Sequence, residues 1–162
     1  MDYKGRAQCL VTRDNKILMV KHKHDGEEWY CTPGGGIEPG ETSEQAAVRE
    51  LWEECNVTGT VIKKISESSV PEGDFHSGLQ AFFYTYQVDI GDQTPSLGCD
   101  PELMDNPILA EVRWMALNEL SEVDRAYLWS AGLLGIPKFA AELDAWAREI
   151  SYPGRRNTEQ KE

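Results

Sequence analysis

The chain has little cysteine, little positive charge and no long apolar run, and each shortage removes a class of protein. Its four cysteines, Cys9, Cys31, Cys55 and Cys99, are widely separated, without the paired Cys-x-x-Cys spacing of zinc and redox motifs. Reduced structural thiols are the expected state. Lysine and arginine number 16 against 28 acidic residues, a formal net charge of -12. That balance argues against general affinity for DNA or RNA, which rests on cations that neutralise phosphates. No apolar run approaches bilayer length, and the start, MDYKGRAQCL, lacks the basic-then-apolar layout of a signal peptide. A cytoplasmic protein without a membrane partner is the expectation. Internal repeats and low-complexity blocks are absent too.

What is present suits one self-folding domain. The 162 residues are 40% hydrophobic and 27% charged, the balance of an ordinary globular chain. The domain is expected over residues 1–152, with a disordered tail over 153–162. Arg6 to Arg13 and Lys16 to Lys21 are apolar-rich runs separated by Asp14 and Asn15, which predicts a hairpin. Asp25 and Gly26 mark a loop, Trp29 to Thr32 a short strand, and Pro33 to Gly36 an irregular, close-approach backbone. Thr42 and Gln45 fit a capping box opening a helix to about Cys55. Strands are expected at Gly59 to Ser66, Leu79 to Val88 and Val112 to Met115, with a long loop from Gly91 to Pro107. Helices are expected near Val123 to Leu134 and Pro137 to Ile150.

The helix carries the chemistry. At about 100° per residue, with Arg49 as zero, Glu53 lies near 40°, Glu50 near 100° and Glu54 near 140°. The three carboxylates share a face. Ala47, Leu51, Cys55, Val48 and Trp52 fall between about 160° and 300°, so Leu51 and Trp52 are expected to pack the helix while the acids stay presented. Carboxylates at this spacing repel one another unless a cation sits between them, and hard oxygen ligands suit Mg²⁺, with Mn²⁺ as a substitute. The plain alternative is a solvated helix face with its glutamates partnered by Arg49. The glycine loop before the helix weighs against that alternative. Its backbone can approach a ligand closely, so a main-chain carbonyl at Gly34 or Gly35 can join a metal, and Gly35 and Gly36 can approach a substrate.

Taken together, Gly35, Glu41, Arg49-Glu50-Leu51-Trp52-Glu53-Glu54 and Val57 resemble the box of the Nudix hydrolase family, of the MutT-like kind. Trp29, Pro33-Gly34-Gly35-Gly36 and Val112-Arg113-Trp114 extend the resemblance. Asn56 departs from it, standing where the family usually has Gly. Asn tolerates the left-handed helix end next best after Gly, so the exchange is expected to cost some stability and leave the site intact.

The resemblance implies an α/β/α sandwich around a mixed sheet. It also implies a magnesium-dependent pyrophosphohydrolase in which water attacks one phosphorus of a nucleoside diphosphate linked to another group. Metal ligands would be Glu50, Glu53, Glu54 and Gly34. Glu53 is the first choice for general base, with Glu102, Asp105 and Glu111 as others. Arg49 would brace the glutamates, Glu41 would stabilise the loop or reach metal through water, and Lys21 would hold a substrate phosphate, although Lys23 is indistinguishable from it. A (deoxy)nucleoside triphosphate leads the substrates, followed by a nucleotide sugar. The small nucleotide-like substrate is the one partner expected, for a monomer or homodimer.

Other readings remain. A ligand-sensing module on the same scaffold would be expected to lose box glutamates. A relative of isopentenyl diphosphate isomerase would need a cysteine and glutamate arrangement that cannot be placed here. His22, His24 and His76 lack a nucleophile partner or zinc spacing and are read as surface or loop residues. Phe75, Tyr84, Tyr86 and Trp129 are read as core aromatics more readily than base-stacking ones.

Overall fold

A computed structural model describes residues 5–69, 82–99, 108–122, 124–125, 128 and 131–137. The opening run splits at Val11 into β1 (Arg6–Leu10) and β2 (Thr12–Arg13), which join different sheets. Asp14 and Asn15, both at positive φ of 50° and 59°, turn β2 back into β3 (Lys16–His24). Positive φ at both central residues matches the right-handed strand twist. Asp25 and Gly26 repeat the device into β4 (Glu27–Cys31), so the expected loop there is a second tight hairpin. β3 is the spine of an antiparallel sheet, with β2 and β4 along one edge and β8 (Leu109–Ala116) along the other.

The first sheet is mixed, as expected. Its order is β5-β1-β7-β6, with β1 parallel to β7 (Phe82–Asp89) and antiparallel to β5 (Gly34–Gly36). β6 (Thr60–Ser69) pairs antiparallel with β7. The glycine run is thus a regular short strand rather than irregular backbone. Only glycine fits there: a Cβ on Gly34 would strike the backbone of Ala7 and Gln8.

Strand alternation divides the core. Leu18 and Val20 face one way, with Ala7, Cys9 and Val11, against Ala47, Leu51 and Cys55 of α1 (Ser43–Cys55). Ile17 and Met19 face the other way, with Leu10, Met115, Leu128 and Leu133. Burial on both sides explains why β3 reads as an unbroken apolar run.

The helix ends where its caps say. Thr42 and Gln45 form the reciprocal box, and Asn56 closes the other end at φ 53° and ψ 34°. The buried side differs from the expectation. Trp52 is 58% exposed, while Glu50 and Glu54 are buried with Ala46, Ala47, Leu51 and Cys55. The buried arc therefore runs from about 60° to 240° and includes two of the acids.

Residues 122, 124, 125 and 128 are helical, in keeping with a helix near Val123 to Leu134, though Leu133–Gly135 is a 3-10 turn. The helix at Pro137 to Ile150, the 153–162 tail, Phe75, His76 and Trp129 lie outside the described residues. Among the described residues, no helix is long and apolar enough to cross a membrane.

Candidate active site

The site forms where α1 passes beneath the glycine strand. Gly34 N–H donates to Glu54 Oε2 at 2.9 Å, and the bare Gly35 leaves the space that the Glu50 carboxylate fills, since a Cβ would collide with it. These contacts explain the turned helix. A backbone N–H on the strand and a missing side chain accept carboxylates on what would otherwise be an apolar face.

Arg49 is the hub. Its Nε and Nη2 reach Glu41 Oε1 and Oε2 at 2.9 and 3.1 Å, and Nη1 reaches Glu50 Oε1 and Glu53 Oε2, each at 2.9 Å. Nη2 also donates to Gly36 O at 2.8 Å. One planar guanidinium thus ties the strand, the turn at Glu41 and two helix acids, which a lysine could not do. Burial alone would lower the Arg49 pKa, but the Glu41 hydrogen bond and the Glu50 charge outweigh it and raise it above its ordinary value. At Glu41, burial pushes the pKa up, while the Arg49 and Glu38 hydrogen bonds win and hold it below the usual range. Arg49 therefore braces the glutamates, and Glu41 anchors the loop through it.

Three carboxylates, Glu41, Glu50 and Glu53, meet this one guanidinium, while the fourth, Glu54, faces Gly34 N–H and His22. Within the group the negative charge is in excess, and its donors are hard oxygens, which fit Mg²⁺ or Mn²⁺. Among the described residues no ready-made cluster of three ligands exists, and Arg49 Nη1 bonds both Glu50 and Glu53. Glu53 is more open than Glu50, with side-chain exposures of 13% and 7%.

Other expected site groups have partners of their own. Gly34 O accepts from Arg6 Nη2 at 2.9 Å. Lys21 shares the opposite face of β3 with Met19; it pairs with Glu28, as Lys23 does, and lies over the Tyr30 ring. Glu111 sits across from Lys21 on β8 and accepts from Tyr30 Oη at 3.3 Å. Neither is among the partners of the box glutamates described here. Glu102 and Asp105 lie outside the described residues. Tyr86 is core, its Oη 2.6 Å from Ser43 Oγ, and Tyr84 packs beside the same cluster.

Sequence reasoning missed His22. It is buried, not exposed, with Nε2 3.9 Å from Glu54 Oε1. Its even place after Leu18 and Val20 was the available signal, since alternate strand residues share a face. Asn56 also does more than expected: its Nδ2 donates to Ser96 Oγ at 3.1 Å and Leu97 O at 3.0 Å. Ser96 N–H and Gly98 N–H cap the Cys55 and Glu54 carbonyls at 3.0 and 2.8 Å. The loop after β7 thus holds the end of the acidic helix.

The fold is also that of solved NUDIX hydrolases. One from Nitrosomonas europaea superposes with a TM-score of 0.58 at 17% identity, covering 93% of each chain. An Ap4A hydrolase from C. elegans gives 0.57 at 20% identity, over 86% of this chain and 98% of that one. The NUDIX domain model matches residues 2–134, and the chain belongs to the NUDIX family. Among curated relatives, the mouse diphosphoinositol polyphosphate phosphohydrolase 3-alpha is 42% identical over 60 residues, 35% of this chain and 36% of that protein. The ADP-ribose pyrophosphatase of Methanocaldococcus jannaschii is 38% identical over 66 residues, 40% of this chain and 39% of that protein. The matches thus span little more than a third of the length of these relatives.

Proposed function

We propose that this chain is a divalent-metal-dependent pyrophosphohydrolase that cleaves the diphosphate linkage of a nucleoside diphosphate joined to another group. The observation that carries the reading is the placement of Glu50 and Glu54 beneath Gly34–Gly36, with Glu53 beside them and Arg49 as brace. Glu50, Glu53 and Glu54 would hold Mg²⁺, with Mn²⁺ able to replace it, and the Gly34 carbonyl could join them by leaving Arg6. The metal, when bound, would neutralise phosphate oxygens and acidify the attacking water.

Around it the chain's own groups divide the work. Glu53, the more open acid, accepts the proton from water as general base. Arg49 fixes its orientation at 2.9 Å, and Glu41 fixes Arg49 in turn. The glycine strand brings backbone close to the diphosphate. Lys21, on the face of β3 away from α1, would hold a phosphate only by leaving Glu28 and only if the substrate extended past the sheet. A nucleoside triphosphate is the leading substrate and a nucleotide sugar the next. The relatives' names add ADP-ribose and diphosphoinositol polyphosphates to the set worth testing. The four cysteines are all unpaired, in keeping with a cytoplasmic enzyme.

The test is a screen of these substrates for phosphate or nucleoside monophosphate release, with and without Mg²⁺. Metal-dependent turnover of one of them is expected. Absence of turnover on all of them with either Mg²⁺ or Mn²⁺ would contradict the reading and favour a sensing module.

A further inference from the structure

Buried histidines need partners on both ring nitrogens, and those of His22 lead to the acidic helix. The ring lies flat on Trp29, with centroids 5.5 Å apart and planes 11° from parallel. Nδ1 is 3.2 Å from Cys31 Sγ and 3.3 Å from Val20 O. Nε2 points toward Glu54 Oε1 at 3.9 Å, while the other oxygen of that carboxylate is held by Gly34 N–H.

The tautomer follows from these neighbours. If Nδ1–H donated to Val20 O, neutral Nε2 would turn a lone pair toward a carboxylate oxygen. If Cys31 S–H donates to Nδ1, Nε2 carries the hydrogen and faces Glu54 favourably. Burial, helped by the Glu54 charge, pushes the Cys31 thiol up to about 12, so the thiol keeps its proton and can donate. The same shift rules out Cys31 as a nucleophile, since the thiolate is the reactive form.

We propose that His22 is a positioning residue for Glu54: clamped by Trp29 and Cys31, it presents Nε2–H to the carboxylate and sets its orientation and its affinity for metal. The inference rests on the reading of Glu54 as a metal ligand. At 3.9 Å the contact is longer than a direct hydrogen bond, so it acts through charge and shape in a nearly dry setting. Groups behind metal ligands change metal affinity by roughly 10 to 100-fold when removed.

The experiment measures Mn²⁺ binding to the full chain by electron paramagnetic resonance, alongside thermal unfolding. His22→Phe keeps the stack and loses both nitrogens; His22→Gln places an amide near Nε2, and His22→Asn places one near Nδ1. Mn²⁺ affinity should fall roughly tenfold in His22→Phe and His22→Asn and recover in His22→Gln. A purely structural role would shift the unfolding temperatures and leave Mn²⁺ affinity alone, so parent-like binding by His22→Phe overturns the proposal. Glu54→Gln in the same assay separates the two claims. If it loses Mn²⁺ while His22→Phe keeps it, only the role of His22 fails; if it binds like the parent, the metal reading fails too. Nitrogen-15 NMR of the parent's neutral His22 ring gives an answer independent of any variant. Hydrogen on Nε2 is expected, and hydrogen on Nδ1 would overturn the proposal.

Discussion

Two groups of charge lie on opposite sides of β3 and differ in their access to water. On one side Arg49, Glu41, Glu50 and Glu53 form ion pairs with side-chain exposures of 7 to 21%. On the other, Lys21 and Lys23 pair with Glu28 at exposures of 20 to 54%. The exposed pairs are the shorter, at 2.5 and 2.7 Å against 2.9 Å, so distance does not rank them. Exposed pairs are screened and contribute little, whereas a buried cluster cannot lose one member without stranding the rest. Ion-pair geometry alone therefore does not identify a functional site; burial with an excess of one sign does.

The largest contrast should come from Arg49→Gln against Glu28→Gln. Loss of Arg49 leaves Glu41, Glu50 and Glu53 without their shared cation and should destabilise the chain by about 3 kcal/mol, read by urea unfolding without divalent metal. Added Mg²⁺ should restore part of that stability, because a ligand that binds the folded state stabilises it. Glu28→Gln should leave the unfolding midpoint unchanged. Equal losses would remove the distinction between the two sides.

Leu51→Ala and Trp52→Ala sharpen the comparison on the helix itself. Leu51 is fully buried and Trp52 is 58% exposed, so the first should cost about 2 to 4 kcal/mol and the second well under 1. The reverse order would mean that the helix packs by the face its hydrophobicity alone suggests.

Asn56→Gly keeps the left-handed cap but loses the bonds to Ser96 and Leu97, so a destabilisation of about 1 kcal/mol is expected rather than a gain. Activity should change little, and a hundredfold loss would give Asn56 a chemical role.

The smallest effect concerns pH. Glu41 has a lowered folded pKa, so its stabilisation is present above its ordinary value of 4.5 and fades as pH falls through the lowered one. Glu41→Gln and the parent should converge in unfolding temperature toward low pH and separate near neutrality. A constant gap across that range would mean that the Arg49 ion pair contributes nothing.

Local chemistry was the legible part of the sequence. Thr42, Gln45 and Asn56 marked the helix ends, Asp14-Asn15 marked the first hairpin, and the Arg49-to-Glu54 run with the glycines marked the site region. The face the helix buries was not legible, because a wheel ranks hydrophobicity and cannot see that Gly34 supplies an N–H and Gly35 an empty space. The side of the sheet that Lys21 occupies depends on strand parity, and so does that of His22. Counting from Leu18 and Val20 would have placed His22 on the helix side and Lys21 away from it. The loop that ties Asn56 comes from a distant part of the chain and left no local mark.

The most direct test of the metal-helix account is turnover of Glu53→Gln and Glu54→Gln beside Glu44→Gln. The substitution keeps size and helix propensity while removing charge. Glu44 is exposed on the same helix and serves as the matched control. On a substrate the parent hydrolyses, the account predicts losses of several orders of magnitude at Glu53 and Glu54 and almost none at Glu44. Excess Mg²⁺ should restore Glu54→Gln further than Glu53→Gln, because a lost general base is not replaced by more metal. Parent-like turnover in both Glu53→Gln and Glu54→Gln would contradict the account and leave this chain with the family's fold but not its metal chemistry.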